Sequence, residues 1–180
     1  SSNEDFLEFL HSPKLAAMMT QGRDVLNWRR ERVLRVLAAW NELQRPQLAE
    51  AWGVPVPELT AEVFLRFVGR GQPSNLHLAE CLHKHVLPVA KARAAKLDGL
   101  EDEAARAELE NLGPDVITDT WLSASKHPEL PDLNRPAPPE EMPALLRLSP
   151  YELMRELQDL NPGYRLVLGT AGLSVEDVAE

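Results

Sequence analysis

The chain has 180 residues, 44% of them hydrophobic and 26% charged, with a formal net charge of −9. That composition is in the ordinary globular range, and the length is enough to bury a core without a covalent or metal staple. The single cysteine, Cys81, excludes an intrachain disulfide, and no apolar run approaches the roughly 20 residues of a membrane span. Because SSNEDFLEFL also lacks the basic start and long apolar centre of a signal peptide, a cytoplasmic protein is expected.

The charge is unevenly spread. Residues 12–96 carry 13 Lys and Arg against 7 Asp and Glu, whereas residues 97–180 carry 6 against 18. A basic half beside an acidic half fits an anionic partner for the basic half. It also fits two halves that face each other or spread their charge over solvated helix faces, the reading favoured because the net negative charge opposes binding to polyanions.

Residues 3–10 (NEDFLEFL) read as a short amphipathic helix with Phe6, Leu7, Phe9 and Leu10 as its apolar set. Ser12 and Pro13 open a second helix as N-cap and first helical residue, and Gly22 is placed to end it. Residues 24–43 are the stretch around which the rest is expected to be organised. Val25, Leu26, Val33, Val36, Leu37, Trp40 and Leu43 fall on one side of the helical wheel, and Glu31, Arg32, Arg35 and Glu42 on the other. Trp28 lies off the apolar face beside Arg29 and Arg32, the composition of an interface anchor. The helix is expected to stop before Arg45-Pro46.

Residues 47–68 resemble a helix-turn-helix unit: Leu48, Ala49 and Trp52 as inward positions, Gly53-Val54 as the turn, Leu59 as the anchor of the second helix. A plain αα-corner accounts for the same pattern. The face offered to a base edge, Pro55, Val56, Pro57, Thr60 and Ala61, holds one hydroxyl and no Arg, Asn, Gln or Lys. If the resemblance extends to DNA binding, phosphate contacts fall to Arg23, Arg29, Arg30, Arg32 and Arg35, with Thr60, Arg66 and Arg70 completing the set.

Residues 69–74 (GRGQPS) read as a hinge, since they follow a helix and lack the ending of a phosphate-binding loop. Ser74 or Asn75 caps the next helix, with Leu76, Ala79, Leu82, Val86, Val89 and Ala90 as its apolar face and a kink expected at Pro88. This helix holds the candidate metal ligands His77, Glu80, Cys81 and His83. Glu80 and His83 have the E-x-x-H spacing of carboxylate-bridged metal helices, but no second such pair exists, and His77 and Cys81 fall on the polar side. Ordinary surface histidines explain the set as well.

Residues 100–112 read as an acidic helix ended by Gly113. Pro114 starts another, with Val116, Ile117, Thr120 and Trp121 as an apolar strip and Asp115 and Asp119 on its solvated side. Six prolines within residues 127–143 call for an extended strap or linker. Ser149, Pro150 and Glu152 have the pattern of a capping box, and YRLVLGT at 164–170 is the one strand-like run.

The expected fold is all-α: an irregular multi-helix bundle with a Pro-rich extended segment and at most one short strand near the C-terminus. The expected divisions are 1–126, 127–143 and 144–180. Nucleophile-elbow, zincin, Walker and dinucleotide-binding motifs are absent from the sequence, and no cofactor is implied. The function expected first is non-enzymatic, an adaptor, chaperone-like or accessory factor that binds a protein partner through Trp28, Arg29, Arg32 and Arg35. A helix-turn-helix-like DNA-binding regulator using residues 24–70 is the alternative, and a metal-dependent enzyme centred on 77–85 is the third reading.

Overall fold

The computed structural model describes residues 2–97, 103–161 and 163. The fold is all-α, and among the described residues there is no strand. The strand-like run 164–170 lies outside them, as does the start of the acidic helix expected at 100–112. Eight α-helices follow in order among the described residues: α1 (Ser2–Leu10), α2 (Pro13–Ala39), α3 (Arg45–Trp52), α4 (Ala61–Val68), α5 (Asn75–Ala94), α6 (Glu103–Glu110), α7 (Pro114–Thr120) and α8 (Pro150–Leu160). Contacts divide the chain into two compact units, Leu26–Ala137 and Ser1–Val25 with Pro138–Glu180.

The larger unit, Leu26–Ala137, is built around α5, which packs against α4, α6 and α7. Leu78, Ala79, Cys81, Leu82, Val86, Ala90 and Ala94 recur at three- and four-residue spacing and are buried. The expected apolar face of this helix is corrected at several points, the first being Leu78, which it left out and which is fully buried. Leu76, in its first turn, is 56% exposed, and Cys81, expected on the polar side, is buried. The helix continues through Pro88 to Ala94. Val33, Val36, Leu37, Trp40, Leu59, Phe64 and Ile117 belong to the same core, with Val56, Leu97, Leu109, Leu112 and Leu122. Trp40 is fully buried, its ring 6.1 Å from that of Trp121 at 28°, and Trp52 approaches Trp121 at the same distance with a 59° tilt.

Between α2 and α3 the helix widens instead of ending. Trp40–Gln44 form a π-turn in which the Arg45 N–H donates to the Trp40 carbonyl, five residues back. Pro46 supplies the reason. It has no N–H for the Glu42 carbonyl, and in an α-helix its ring would collide with that carbonyl. The wider turn relieves the collision, and α3 proceeds with Pro46 in its first turn, where a missing N–H costs nothing. The expected break before Arg45-Pro46 is therefore a change of helical gauge. Upstream, the two helices expected on either side of Gly22 are one continuous α2, because an interior Gly costs only about 1 kcal/mol relative to Ala.

The change of gauge shifts the register. Leu43, expected on the apolar face, is 36% exposed, and Gln44 is buried in its place at 6%. The turn also aims two side chains at residues 55–60, which run in neither helix nor strand. Asn41 donates from Nδ2 to the Leu59 carbonyl at 2.8 Å and accepts at Oδ1 from the Leu59 N–H at 3.2 Å. Arg45 donates from Nε to the Asn41 carbonyl at 3.2 Å and from Nη1 to the Val56 carbonyl at 3.1 Å. Val56 and Leu59 are thereby held buried. Gly53, at φ 64°, ends α3 with its N–H on the Ala49 and Glu50 carbonyls, a conformation that favours glycine. Thr60 caps α4, its hydroxyl accepting from the Val63 N–H. Residues 53–60 thus separate α3 from α4, and Leu59 is buried in that connection rather than inside the second helix.

The second unit has no buried residue among those described. Half-buried Leu15, Met18, Gly22 and Val25 form a stripe on α2, and half-buried Leu153, Leu157 and Leu160 one on α8. Lys14 donates from Nζ to the Asp159 carbonyl at 3.3 Å, tying the start of α2 to the end of α8. The capping box expected at Ser149 forms: its Oγ accepts from the Glu152 N–H at 3.2 Å, and the Glu152 carboxylate accepts from the Ser149 N–H at 2.8 Å. Those bonds, the backbone one first, hold the Glu152 carboxyl below its ordinary pKa.

Replacing Asn41 by Ala strands the Leu59 N–H and carbonyl away from their partner. Urea unfolding is expected to show a loss of about 1–3 kcal/mol, against less than about 0.5 kcal/mol for exposed Glu42→Ala.

Candidate interaction site

Of the expected partner-binding set, Trp28, Arg29 and Arg32 come together. Trp28 is half-buried on α2, and the guanidinium of Arg32, one turn on, lies 4.7 Å from its ring centroid. Arg32 donates from Nη2 to the carbonyls of Asp132, Leu133 and Arg135 at 3.3, 3.4 and 3.1 Å. A proline-rich segment outside helix and sheet leaves its carbonyls to find donors elsewhere, and an arginine fork can serve several at once. Arg29 donates from Nη1 to Gln72 Oε1 at 3.1 Å. A cavity of about 400 Å³ lies among Trp28, Arg29, Arg32, Gln72, Asn75 and Leu133. Arg35 is exposed and does not line it.

The residues of the nucleic-acid set serve several local roles. Arg23 donates to the Thr20 hydroxyl at 2.9 Å, Arg66 pairs with Glu62 at 2.6 Å, and Thr60 is the cap of α4. Arg30 and Arg70 line a cavity of about 360 Å³ together with Leu26, Leu65 and Val68.

In the metal set, the Ser74 hydroxyl that caps α5 lies 2.8 Å from His77 Nδ1, and Glu80 and His83 are half-buried. Burial raises the Cys81 pKa above the ordinary thiol value, with Lys84 pulling weakly the other way, so the thiol stays protonated at neutral pH. Among the described residues no three His, Cys, Asp or Glu side chains gather where a metal ion could sit. Asp115 and Asp119 are both exposed.

Two features were not singled out by the sequence. The first is apolar surface in the second unit: Phe6 at 49%, Leu7 at 54% and Leu10 at 47% exposed on α1, Met19 at 57% on α2, Tyr151 at 63% and Met154 at 38% on α8. NEDFLEFL carried the signal, because four large apolar residues in so short a helix exceed one buried stripe. The second is a cavity of about 220 Å³ beside the π-turn, where Gln44 meets Trp40, Leu48 and Trp121. Its signal was Pro46, placed to distort the helix before it. No helix among the described residues is long and apolar enough to cross a membrane.

Arg32→Ala should release the strap, read as faster proteolytic cleavage around residues 131–136, and Arg32→Lys should not restore protection because one ammonium cannot reproduce the fork. Cys81 supplies a pH test. Its folded pKa is raised, so above the free-thiol value of about 8.5 the unfolded chain loses a proton that the folded chain keeps. Stability therefore falls with rising pH through that region, and Cys81→Ala should flatten the slope of urea stability between about pH 8 and 10. No family model, curated protein or solved structure matches the chain.

Proposed function

We propose that this chain is a non-enzymatic helical interaction protein, an adaptor or accessory factor that binds a protein partner through the apolar surface of α1, the start of α2, and α8. The observation that carries the reading is the exposure of Phe6, Leu7, Leu10, Met19, Tyr151 and Met154 in a unit with no buried residue among those described. Apolar surface of this kind marks interaction sites, and helical anchors at these spacings suit an amphipathic partner. For each side chain, about half of the roughly 1.5–3 kcal/mol available from full burial is still to be gained. Trp28 and Arg32 enter the reading as the fastening of the strap, Arg29 as the partner of Gln72, and Arg35 as an exposed cation on the same helix. The lone, buried Cys81 supports a cytoplasmic setting.

A photo-crosslinking residue at Leu7, and separately at Tyr151, tests this in the cells that make the protein. Both positions should yield the same discrete protein adduct. Leu10→Asp should abolish it with little change in melting temperature, because Leu10 is 47% exposed. No adduct, adducts to nucleic acid or to a second copy alone, or an adduct indifferent to Leu10→Asp would overturn the reading.

A further inference from the structure

Among the described residues, Gln44 is the one polar residue that is buried, and neither Nε2 nor Oε1 of its amide meets a protein partner. The π-turn puts it there, and single π-turns recur at functional sites. Gln44 lines the cavity of about 220 Å³ with the indoles of Trp40 and Trp121, and Gln47 and Ala51 are its exposed rim. No Lys, Arg, Asp or Glu lines this cavity. His127 lines it too, but its Nε2 donates to the Thr120 carbonyl at 2.6 Å and its Nδ1 lies 3.4 Å from Glu129. A charged ligand would therefore lose its hydration here with no counter-charge lining the cavity.

We propose that this cavity binds a small, uncharged, flat ring with a lactam or carboxamide edge, packed against the half-buried Trp121 indole, which itself lies on Trp40, and read by the Gln44 amide. A side-chain amide offers one donor and one acceptor, and a lactam edge offers the complementary acceptor and donor, so two antiparallel hydrogen bonds satisfy both partners. The cavity is smaller than the roughly 300 Å³ at which drug-sized pockets begin, which limits the ligand to one or two rings. Indole faces favour a flat ring over an aliphatic amide. Both amide atoms are closed to water in the present geometry, so contact requires a turn of the terminal torsion of Gln44, which is broad and soft.

The test titrates the full chain with 2-pyridone, with N-methyl-2-pyridone and acetamide beside it, following the Trp indole and Gln side-chain amide signals by NMR. The site predicts saturable shifts at Trp40, Trp121 and Gln44 with 2-pyridone. Binding should be about tenfold weaker for N-methyl-2-pyridone, which has lost the donor, and for acetamide, which has no ring to stack. Gln44→Met should raise the melting temperature by removing an unpaired buried amide, and weaken 2-pyridone about tenfold. Absence of saturable shifts, equal binding of the analogues, or undiminished binding to the variant would overturn the assignment. A fall in the melting temperature of Gln44→Met would do so as well, since it would place the amide in the service of the fold.

Discussion

A missing N–H at position 46 sets the geometry of the larger unit. Without it the Glu42 carbonyl has no α-helical donor, and the helix opens into a π-turn over Trp40–Gln44. Much of the core then depends on what that turn presents. Trp40 becomes the buried member of the three-indole cluster with Trp121 and Trp52. Asn41 behaves toward Leu59 as a short stretch of backbone, giving one donor and one acceptor, and Arg45 takes the Val56 carbonyl. The connection to α4 is fixed by these side chains, since its own backbone forms no regular structure. The cost falls on Gln44, turned inward with nothing in the protein to bond.

Three arginines of the basic half of the sequence find uncharged partners. Arg29, Arg32 and Arg45 each direct a guanidinium at neutral oxygens: a side-chain amide, three strap carbonyls, and two carbonyls of the π-turn and its neighbouring connection. This is what irregular backbone requires. Carbonyls outside helix and sheet still need donors, and arginine offers five in a rigid plane while its charge strengthens each bond. Arg32 illustrates the economy, since stacking on Trp28 orients the same group that secures the strap.

What could be read from the sequence was whatever short-range physics decides. The Ser149–Glu152 capping box, Ser74 as a cap and the all-α class depend on residues within one turn of each other, and they stand where the pattern placed them. The longer reaches were not legible. Gly22 looked like a stop because glycine at a helix end is common, yet about 1 kcal/mol is too little to break a helix that packing continues. Cys81 read as a polar ligand when placed among histidines, although a free thiol packs as a small hydrophobe. Trp28 and Arg32 were recognisable as neighbours. That Arg32 would meet carbonyls about a hundred residues away was invisible, since nothing local to the strap names its donor. The exchange of Leu43 for Gln44 followed from Pro46, but only if the helix continued past it, and the usual rule has it stop.

The two units use comparable apolar material to different ends. In the larger one, α5 lies among α4, α6 and α7, so residues at three- and four-residue spacing find cover on several sides and become fully buried. In the other, the α2 and α8 stripes of Leu15, Met18, Val25, Leu153, Leu157 and Leu160 reach only half-burial. A helix needs a second layer to bury its apolar stripe, and a wider stripe needs more than one neighbour. Phe6, Leu7 and Leu10 on α1 share that arc and find no such layer among the described residues. The apolar side chains left uncovered in this way retain rotamer freedom that the packed residues of the larger unit have lost.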